Sequence, residues 1–173
     1  TIDTSDKNRY KLIKWVTNFI KDYDYGKNMK GLYLHGNFGC GKTYILSACF
    51  NEMKRRGFRT KIVYLPDLLR TIKGDFEAMN DIMDELCHVD LLLIDDIGAE
   101  KVTDWGRDEI LGTILQSRMN EHKTTFFTSN FTISELEEHL ANKGTDKVKA
   151  NRIIERIKQL TEDMEMLGAN MRK

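Results

Sequence analysis

An α/β fold with a central parallel β-sheet is the fold class that this sequence predicts, and three observations lead to it. Short apolar or β-branched runs alternate along the chain with longer amphipathic runs, as in a parallel sheet covered by helices on both faces. A glycine-rich motif, 36–43, stands between the first apolar run and a helix-forming run. Four apolar residues, 91–94, are followed by two aspartates, a pattern typical of a central strand. We therefore expect a three-layer α/β/α sandwich.

The helices in the first half of the chain are predicted from apolar residues that recur every three or four positions. The first covers 6–22, and the next runs from the glycine-rich motif to about residue 56, where Gly57 provides a stop. Pro66 suits the first turn of a helix over 66–73. The apolar face of the first helix consists of Leu12, Ile13, Val16, Phe19 and Ile20. A further helix after Gly74 has its apolar residues at Phe76, Met79, Ile82, Met83 and Leu86.

The second half of the chain continues the same alternation. Helices are predicted over 103–121, 133–140 and 147–160 from their apolar spacing. Strands are predicted where β-branched, aromatic or wholly apolar runs are short, at 32–35, 60–65, 91–94 and 124–129, with a last short strand at 164–167. Ligands of such sheets bind beyond the carboxyl ends of the strands. The glycine-rich motif, Asp95 and Asn130 each follow a strand, so we expect them to converge at one edge.

The glycine-rich motif fits the phosphate-binding P-loop pattern G-x-x-x-x-G-K-[ST]. Its glycines let backbone N–H groups surround a phosphate chain, and the N-terminus of the following helix adds a partial positive charge. Lys42 supplies a charge to the β- and γ-phosphates, and the Thr43 hydroxyl is placed to ligate Mg²⁺. The motif therefore predicts a nucleoside triphosphate site at Gly36, Asn37, Phe38, Gly39, Cys40, Gly41, Lys42 and Thr43.

The apolar run that ends in Asp95 and Asp96 has the pattern of a Walker B strand. Asp95 would hold Mg²⁺ through its water shell, and Asp96 would polarise the attacking water. In the ATPase branch of P-loop proteins another strand separates this strand from the P-loop strand and bears a polar sensor at its tip. Strand 124–129 fits that description, with Asn130, or alternatively Ser129, as the residue that reaches the γ-phosphate.

Composition and charge limit the classes of protein that the chain can represent. With 173 residues, of which 40% are apolar and 31% charged, it suits one globular domain. A formal net charge of zero excludes a global attraction to nucleic acid, so such binding requires a local patch. Three widely spaced cysteines without a C-x-x-C pair argue for reduced thiols in a cytoplasmic protein, and against a disulfide scaffold or a zinc site.

The hydropathy of the sequence and the nature of its N-terminus limit the possible classes further. No apolar run approaches the roughly 20 residues that span a bilayer, so no membrane association is expected. The N-terminus is polar and acidic, unlike a signal peptide. Because the chain begins with Thr1 and not Met, we expect residues 1–173 to be one ATP-binding domain from the C-terminal part of a longer protein.

Four segments together carry a family resemblance: residues 34–43, the run Leu93-Ile94-Asp95-Asp96-Ile97-Gly98-Ala99-Glu100, the tip Thr128-Ser129-Asn130, and Arg152-Ile153-Ile154-Glu155-Arg156-Ile157. The combination resembles the AAA+ module of bacterial replicative helicase loaders of the DnaI type, with DnaC and the IstB transposition ATPases as more distant relatives. The resemblance covers the chain from about Tyr10 to Arg172.

The resemblance implies a function and a set of partners. It implies an ATP- and Mg²⁺-dependent, slowly hydrolysing switch that helps to place the ring-shaped hexameric replicative DNA helicase on single-stranded DNA. Full-length relatives carry an N-terminal helicase-binding domain, in the DnaI type with a zinc site, and nothing in this sequence matches that domain.

Two arginines take their roles from the resemblance. Arg156 matches the arginine finger that reaches into the ATP of a neighbouring subunit, which implies self-association, and Arg172 matches the second sensor arginine. From the residues alone, Arg156 would be a solvated residue or a salt-bridge partner of Glu155 or Glu162.

The sequence departs from the family pattern at two places. Cys40 occupies a P-loop position where Thr or Val is commoner, and we expect its side chain to point away from the phosphates. The helical lid of many AAA+ proteins is expected to be truncated, since only 43 residues follow Asn130.

The expected contact with single-stranded DNA lies in the helical insertion after the second strand. Arg70 and Lys73 are the candidates there, and Phe76 is a candidate for stacking on a base. The alternative is that both basic residues are ordinary solvated side chains and that Phe76 belongs to the core. The basic residues at 54–56 are likewise either a nucleic-acid patch or solvated residues that complement the end of a helix.

Three other functions remain open from the sequence. A transposition helper ATPase would share every residue of the ATP site and would bind duplex DNA and a transposase. A small-molecule P-loop kinase would need an acceptor pocket and a Walker B strand beside the P-loop strand, and the sensor strand and Arg156 argue against it. A nucleotide-binding adaptor without hydrolysis remains possible, because one domain without its neighbour cannot complete a site that acts between chains.

Overall fold

Five strands form the centre of the molecule in the computed structural model, which describes residues 4–24, 27 and 29–168, with side chains from residue 7 onward. The strands are β1 (Gly31–His35), β2 (Thr60–Tyr64), β3 (Leu91–Asp95), β4 (Thr124–Ser129) and β5 (Thr161–Glu165). They pair in the order β2-β3-β4-β1-β5, and every pair is parallel. The α/β prediction is confirmed, and β4 lies between the P-loop strand and the Walker B strand as predicted.

Helices cover both faces of this sheet. They are α1 (Thr4–Asp22), α2 (Lys42–Arg55), α3 (Leu65–Gly74), α4 (Phe76–His88), α5 (Gly112–Asn120), α6 (Ile133–Leu140) and α7 (Lys147–Leu160). A π-helical stretch, Trp105–Leu111, leads directly into α5. The chain beyond Asn130 forms α6, α7 and β5, and residues 131–168 build no separate helical lid.

Alternate residues of the three central strands, β1, β3 and β4, belong to different cores, because successive side chains point to opposite faces of a sheet. Leu91 and Leu93 of β3 pack with α1 and α2, whereas Leu92 and Ile94 pack with α3 to α7. The continuous apolar run at 91–94 is therefore explained by burial on both faces.

The last strand is the clearest difference from the predicted elements. We predicted a strand at 164–167, but β5 occupies Thr161–Glu165 and follows Leu160 of α7 without a loop. The Thr161 hydroxyl donates a hydrogen bond of 2.7 Å to the Ile157 carbonyl, which satisfies the end of the helix. As an edge strand, β5 buries only Thr161 and Met164. Its polar sequence therefore did not resemble that of a central strand.

Smaller differences concern the insertion and the helix after β3. The second strand ends at Tyr64, because Leu65 already begins α3. The helix predicted over 103–121 is divided between the π-helical stretch and α5. Phe76, predicted on an apolar face, is 63% exposed and makes an edge contact with Trp105 at a centroid distance of 6.3 Å.

Candidate functional site

A cleft of about 720 Å³ opens at the carboxyl edge of the sheet, where β1, β3 and β4 end. Its volume lies within the range of small-molecule sites. The P-loop, the end of β3 and the residue after β4 meet in this cleft, as the sequence predicted. The residues that line it are Arg9, Ile13, Phe38, Gly39, Cys40, Gly41, Lys42, Thr43, Tyr44, Ile45, Tyr64, Asp95, Asp96, Thr128 and Asn130.

The P-loop ends in a helix N-terminus that no side chain caps. Gly41 is the N-cap residue of α2 with φ of 94°, a left-handed conformation that glycine adopts without strain. No acidic residue lies in the first turn of α2. The first N–H groups of a helix have no acceptor within it, so this end presents donors and a partial positive charge to an anion.

The chain that follows β5 supports the other end of the loop. Asn37 and Gly168 exchange two hydrogen bonds, in which the Asn37 amide donates to the Gly168 carbonyl and accepts from its N–H. Cys40 is buried, and its thiol lies 3.4 Å from the carbonyl oxygen of Met166. A Cβ at Gly36 would stand 1.7 Å from that same carbonyl oxygen, so only glycine fits there. The Cys40 thiol is thus directed toward the segment that follows β5, at Met166.

Lys42 is buried, and its ammonium group is surrounded by acceptors. Nζ donates to the carbonyl oxygens of Gly36 and Asn37, each at 3.0 Å, and to Asn130 Oδ1 at 3.2 Å. The Cys40 Sγ lies 3.6 Å away. The contact with Asn130 brings the P-loop lysine and the predicted sensor residue together.

Two hydroxyl groups converge on one carboxylate oxygen at the end of β3. Asp95 Oδ1 accepts from Thr43 Oγ1 at 2.7 Å and from Thr128 Oγ1 at 2.6 Å. Hydroxyl and carboxylate oxygens are ligands that Mg²⁺ prefers. The donor set of Thr43 and Asp95 therefore fits the magnesium ion that the sequence predicts.

Asp96 has an unusual backbone conformation. Its φ is 58°, in the left-handed region that a non-glycine residue adopts at a cost of about 1 kcal/mol or more. The Asp96 N–H donates to Thr128 Oγ1 at 2.8 Å, which holds the turn. Strained residues of this kind concentrate at active sites, and Asp96 lines the cleft.

The structure separates the two candidates for the sensor residue. Ser129 is buried; its hydroxyl donates to the Ile97 carbonyl at 2.6 Å and accepts from the Phe131 N–H. Asn130 is exposed in the cleft and contacts Lys42. Asn130 therefore has the position for a ligand contact, whereas Ser129 supports the loop after Asp96.

Glu100, in the same loop, is a buried acid. Burial raises the pKa of Glu100 to about 7. The carboxylate accepts a hydrogen bond of 2.7 Å from the Gly98 N–H. The backbone carbonyl oxygen of Glu100 lies 3.1 Å from His139 Nε2. This contact connects the loop to α6.

Arg156 lies away from this cleft, on a groove of about 530 Å³ between α5 and α7. Its Nε donates to Gln116 Oε1 at 2.8 Å. The salt bridges considered from the sequence are not formed, since Glu155 pairs with Lys158 and Glu162 accepts from Trp15. Arg172 lies outside the described residues.

The candidate DNA residues lie together on α3. Arg70 and Lys73 are both exposed, and Arg70 pairs with Asp67 in the same helix. At the end of α2, Arg55 and Arg56 both pair with Glu52. The pairing neutralises part of the charge at residues 54–56.

Several residues of the cleft were missed from the sequence. Thr128 donates a hydrogen bond to the Asp95 carboxylate and accepts one from the Asp96 N–H. A threonine in a strand is common, so nothing in the sequence indicated this role. Tyr44, Tyr64, Arg9 and Ile13 line the opening and come from three different elements. Ile13 was predicted in the core and is 48% exposed.

Within residues 4–24, 27 and 29–168, no helix has the length and apolarity that crossing a membrane requires.

Comparison with known families and proteins gives a consistent result. The sequence model of the family described as "IstB-like ATP binding protein" matches residues 13–173. The replicative helicase loader DnaI of Bacillus subtilis (strain 168) is 39% identical over 176 residues, which covers 99% of this chain and 57% of that protein. The chain thus spans little more than half the length of this relative.

Solved structures show the same likeness. The structure titled "Crystal Structure of the DnaI" matches with a TM-score of 0.88 at 46% identity, over 99% of this chain and 88% of that chain. AMPPCP-bound DnaA from Aquifex aeolicus matches with a TM-score of 0.75 at 20% identity, over 92% of this chain and 46% of that chain. The second likeness is one of fold alone.

Proposed function

Because the chain belongs to the family of IstB-like ATP-binding proteins, we propose that residues 1–173 are the ATPase domain of a replicative helicase loader. The observation that carries the proposal is the division of the ATP machinery between two surfaces. Lys42, Thr43, Asp95 and Asn130 share one cleft, whereas Arg156 lies on a different groove. The similarity to DnaI over nearly the whole chain supports the choice of a loader.

ATP would bind with its phosphates against the P-loop. The N–H groups at the start of α2 and the ammonium of Lys42 are the donors for phosphate oxygens. Lys42 Nζ already stands among three oxygen acceptors at 3.0–3.2 Å. Phosphate oxygens would take the place of the loop carbonyls, so the lysine needs no large movement.

Mg²⁺ would be held by Thr43 Oγ1 and Asp95, directly or through water, and when bound it neutralises charge on the phosphates. Thr128 donates to the same Asp95 oxygen that accepts from Thr43. This pair of hydrogen bonds fixes the rotamer of Asp95, and the carboxylate is therefore oriented before any ion arrives.

Hydrolysis would use Asp96 and Asn130 on the attacking water. Asp96 polarises the water as a general base, and Asn130 orients it and contacts the γ-phosphate. The Lys42–Asn130 contact of 3.2 Å supports this role, because it connects the sensor to the group that binds the phosphate.

Arg156 would complete the site of a neighbouring copy. A guanidinium delivered to the developing charge on the γ-phosphate accelerates hydrolysis by about 10³-fold or more. Because Arg156 does not line the cleft of its own chain, the isolated monomer would hydrolyse ATP slowly. Arg172, the second sensor of the sequence prediction, keeps that proposed role.

The partners proposed from the relatives are the hexameric replicative DNA helicase and single-stranded DNA. DnaI is named a replicative helicase loader, and the exposed Arg70 and Lys73 on α3 would contact the DNA backbone. The cytoplasm is the proposed location; the three cysteines are free thiols, which a reducing compartment preserves.

A transposition helper ATPase is the second candidate, because the family description is IstB-like. Such a protein would use the same cleft and would bind duplex DNA. A P-loop kinase is disfavoured by the position of β4 between β1 and β3. Competition of duplex and single-stranded DNA for the chain separates the first two functions: preference for duplex DNA would favour the helper.

The test of the proposed function is the rate of ATP hydrolysis across a series of protein concentrations, with and without single-stranded DNA. We expect specific activity to rise with concentration in the wild type. Arg156→Ala should lose this increase, by about 10³-fold at saturation, and should still bind ATP.

Arg152→Ala is the matched control, since Arg152 is exposed on the same helix one turn earlier. It should behave as the wild type. Activity that is independent of concentration and of Arg156 would show that the site is complete within one chain, and the proposed function would then be wrong.

A further inference from the structure

We propose that Gln116 is a positioning residue, which holds Arg156 in the orientation that a neighbouring copy of this chain requires. The inference rests on the proposed function, because it concerns the arginine that acts between copies. It adds a residue on a different helix, α5, to the machinery of hydrolysis.

The side chain of Gln116 has one defined orientation. Its Nε2 donates to Asn120 Oδ1 at 2.9 Å, one helical turn further along α5. The amide oxygen must therefore face the other way, and it accepts from Arg156 Nε at 2.8 Å. Asn120 thus fixes the amide of Gln116, and Gln116 fixes the guanidinium of Arg156.

The contact through Nε leaves the outer edge of the guanidinium available. A guanidinium carries five N–H donors in a planar fork, and its two terminal nitrogens bind oxyanions bidentately. Among the described residues, no carboxylate oxygen lies within 4.0 Å of the Arg156 nitrogens. A neutral amide therefore orients the group and does not neutralise its charge.

Arg107 provides an internal comparison. Its side chain is buried and is paired with Asp104, Asp108 and Asp146 at 2.7–3.2 Å. Those carboxylates neutralise the guanidinium, as suits an arginine that stabilises the fold. Arg156 is half-exposed, is held by an amide and faces a groove, which suits an arginine that binds a charge from outside.

The backbone below Arg156 is also fixed. Ile153, Ile154 and Ile157 are buried in the core on the inner side of α7. The position of the Arg156 Cα is thus set by packing, and the remaining freedom lies in the long side chain. A hydrogen bond at Nε, near the end of that side chain, restricts most of this freedom.

The experiment uses pairs of variants whose sites can only be completed between chains. Lys42→Ala makes a donor chain that offers Arg156 but lacks the P-loop lysine. Arg156→Ala makes an acceptor chain that binds ATP but offers no arginine. We expect the mixture to hydrolyse ATP faster than either variant alone at the same total concentration.

Gln116→Leu is then placed in one chain at a time. In the donor it should lower the rate of the mixture by about 10-fold to 100-fold, since a misplaced group loses that much in rate, with the KM for ATP unchanged. In the acceptor, where Arg156 is already absent, the same substitution should have less than a twofold effect. A purely structural role of Gln116 would give equal effects in the two chains.

Gln159→Leu in the donor is the matched control, because Gln159 is exposed on α7, and it should leave the rate of the mixture unchanged. Recovery in the mixture that is insensitive to Gln116→Leu in the donor would overturn the inference alone. Absence of any recovery in the parent mixture would overturn the proposed function, and this inference with it.

Discussion

Burial shifts the pKa of individual residues in this protein, and it does so in opposite directions for Arg118 and Glu100. Arg118 is fully buried, and burial lowers the pKa of its guanidinium to about 10. It donates to the carbonyl oxygens of Leu86, Val89 and Thr124 at 2.8–2.9 Å. Arg118 therefore joins α4, α5 and β4 through backbone acceptors. Glu100 forms no salt bridge with the residues that the structure describes, and burial instead raises its pKa to about 7.

The first prediction concerns the pH dependence of stability at Glu100. Its pKa is about 7 in the folded chain and 4.5 in the reference state. Between these values the folded state keeps a proton that the unfolded state has lost. The unfolding free energy therefore falls as pH rises through this window, by up to about 3 kcal/mol.

Glu100→Gln should remove this decrease, because the amide has no proton to lose and its oxygen can still accept from Gly98. Denaturant unfolding of both proteins between pH 5 and pH 8 measures the difference. Glu138→Gln, at an exposed position on α6, is the control. Parallel pH profiles for wild type and Glu100→Gln would contradict the prediction.

At the scale of elements, β1 packs closely against β4 where β1 begins. A Cβ at Gly31 would lie 2.1 Å from the carbonyl oxygen of Thr125 in β4 and 2.9 Å from the ring of Phe126. The absence of a side chain at the start of β1 thus allows the two strands to approach. By contrast, a Cβ at Gly74, the last residue of α3, would meet nothing within 4 Å.

The second prediction compares alanine at these two glycines. Gly31→Ala should lower the unfolding free energy by about 3 kcal/mol, since backbone and ring must both shift. Gly74→Ala should leave it unchanged or raise it by up to about 1 kcal/mol, because alanine favours helix. Urea titrations measure both, and equal values for the two variants would show that β1 relaxes freely.

The sequence was sufficient for most elements and for the convergence of the P-loop, Asp95 and Asn130 in one cleft, because motif and burial there coincide. The run at 91–94 is typical of a central strand, and strand order predicted the position of Asn130 at the carboxyl edge of the sheet. It was insufficient where contacts are distant in sequence. Neither Thr128 nor Gln116 differs from an ordinary polar residue until the fold brings Asp95 and Arg156 to it. The edge position of β5 likewise cannot be predicted until the order of the other strands is known.

At the scale of the whole molecule, the charge is balanced. The chain has 27 basic and 27 acidic residues, and several surface arginines are paired locally. A molecule of zero net charge gains little from long-range attraction to DNA, so α3 would have to supply the contact through few residues.

The third prediction therefore concerns the salt dependence of binding to single-stranded DNA. Each phosphate contact contributes about 0.7 to the slope of log affinity against log salt concentration. The double variant Arg70→Ala/Lys73→Ala should reduce the magnitude of that slope by about 1.4. Arg55→Ala/Arg56→Ala, at the end of α2 where both arginines pair with Glu52, should not change it. An unchanged slope in the first variant would remove α3 from the DNA surface.

The junction between α7 and β5 has a mechanical consequence. Arg156 stands on a helix that becomes a strand at Thr161 without an intervening loop, and that strand pairs with β1 from Gly31↔Thr161 to His35↔Glu165. The residues just beyond it hold the P-loop at Asn37. A displacement of the P-loop on nucleotide binding would therefore be transmitted to Arg156 through β5 and α7, because no flexible loop separates these two elements. In the proposed association of copies, where Arg156 meets a neighbour's nucleotide, the occupancy of one site would therefore influence the next.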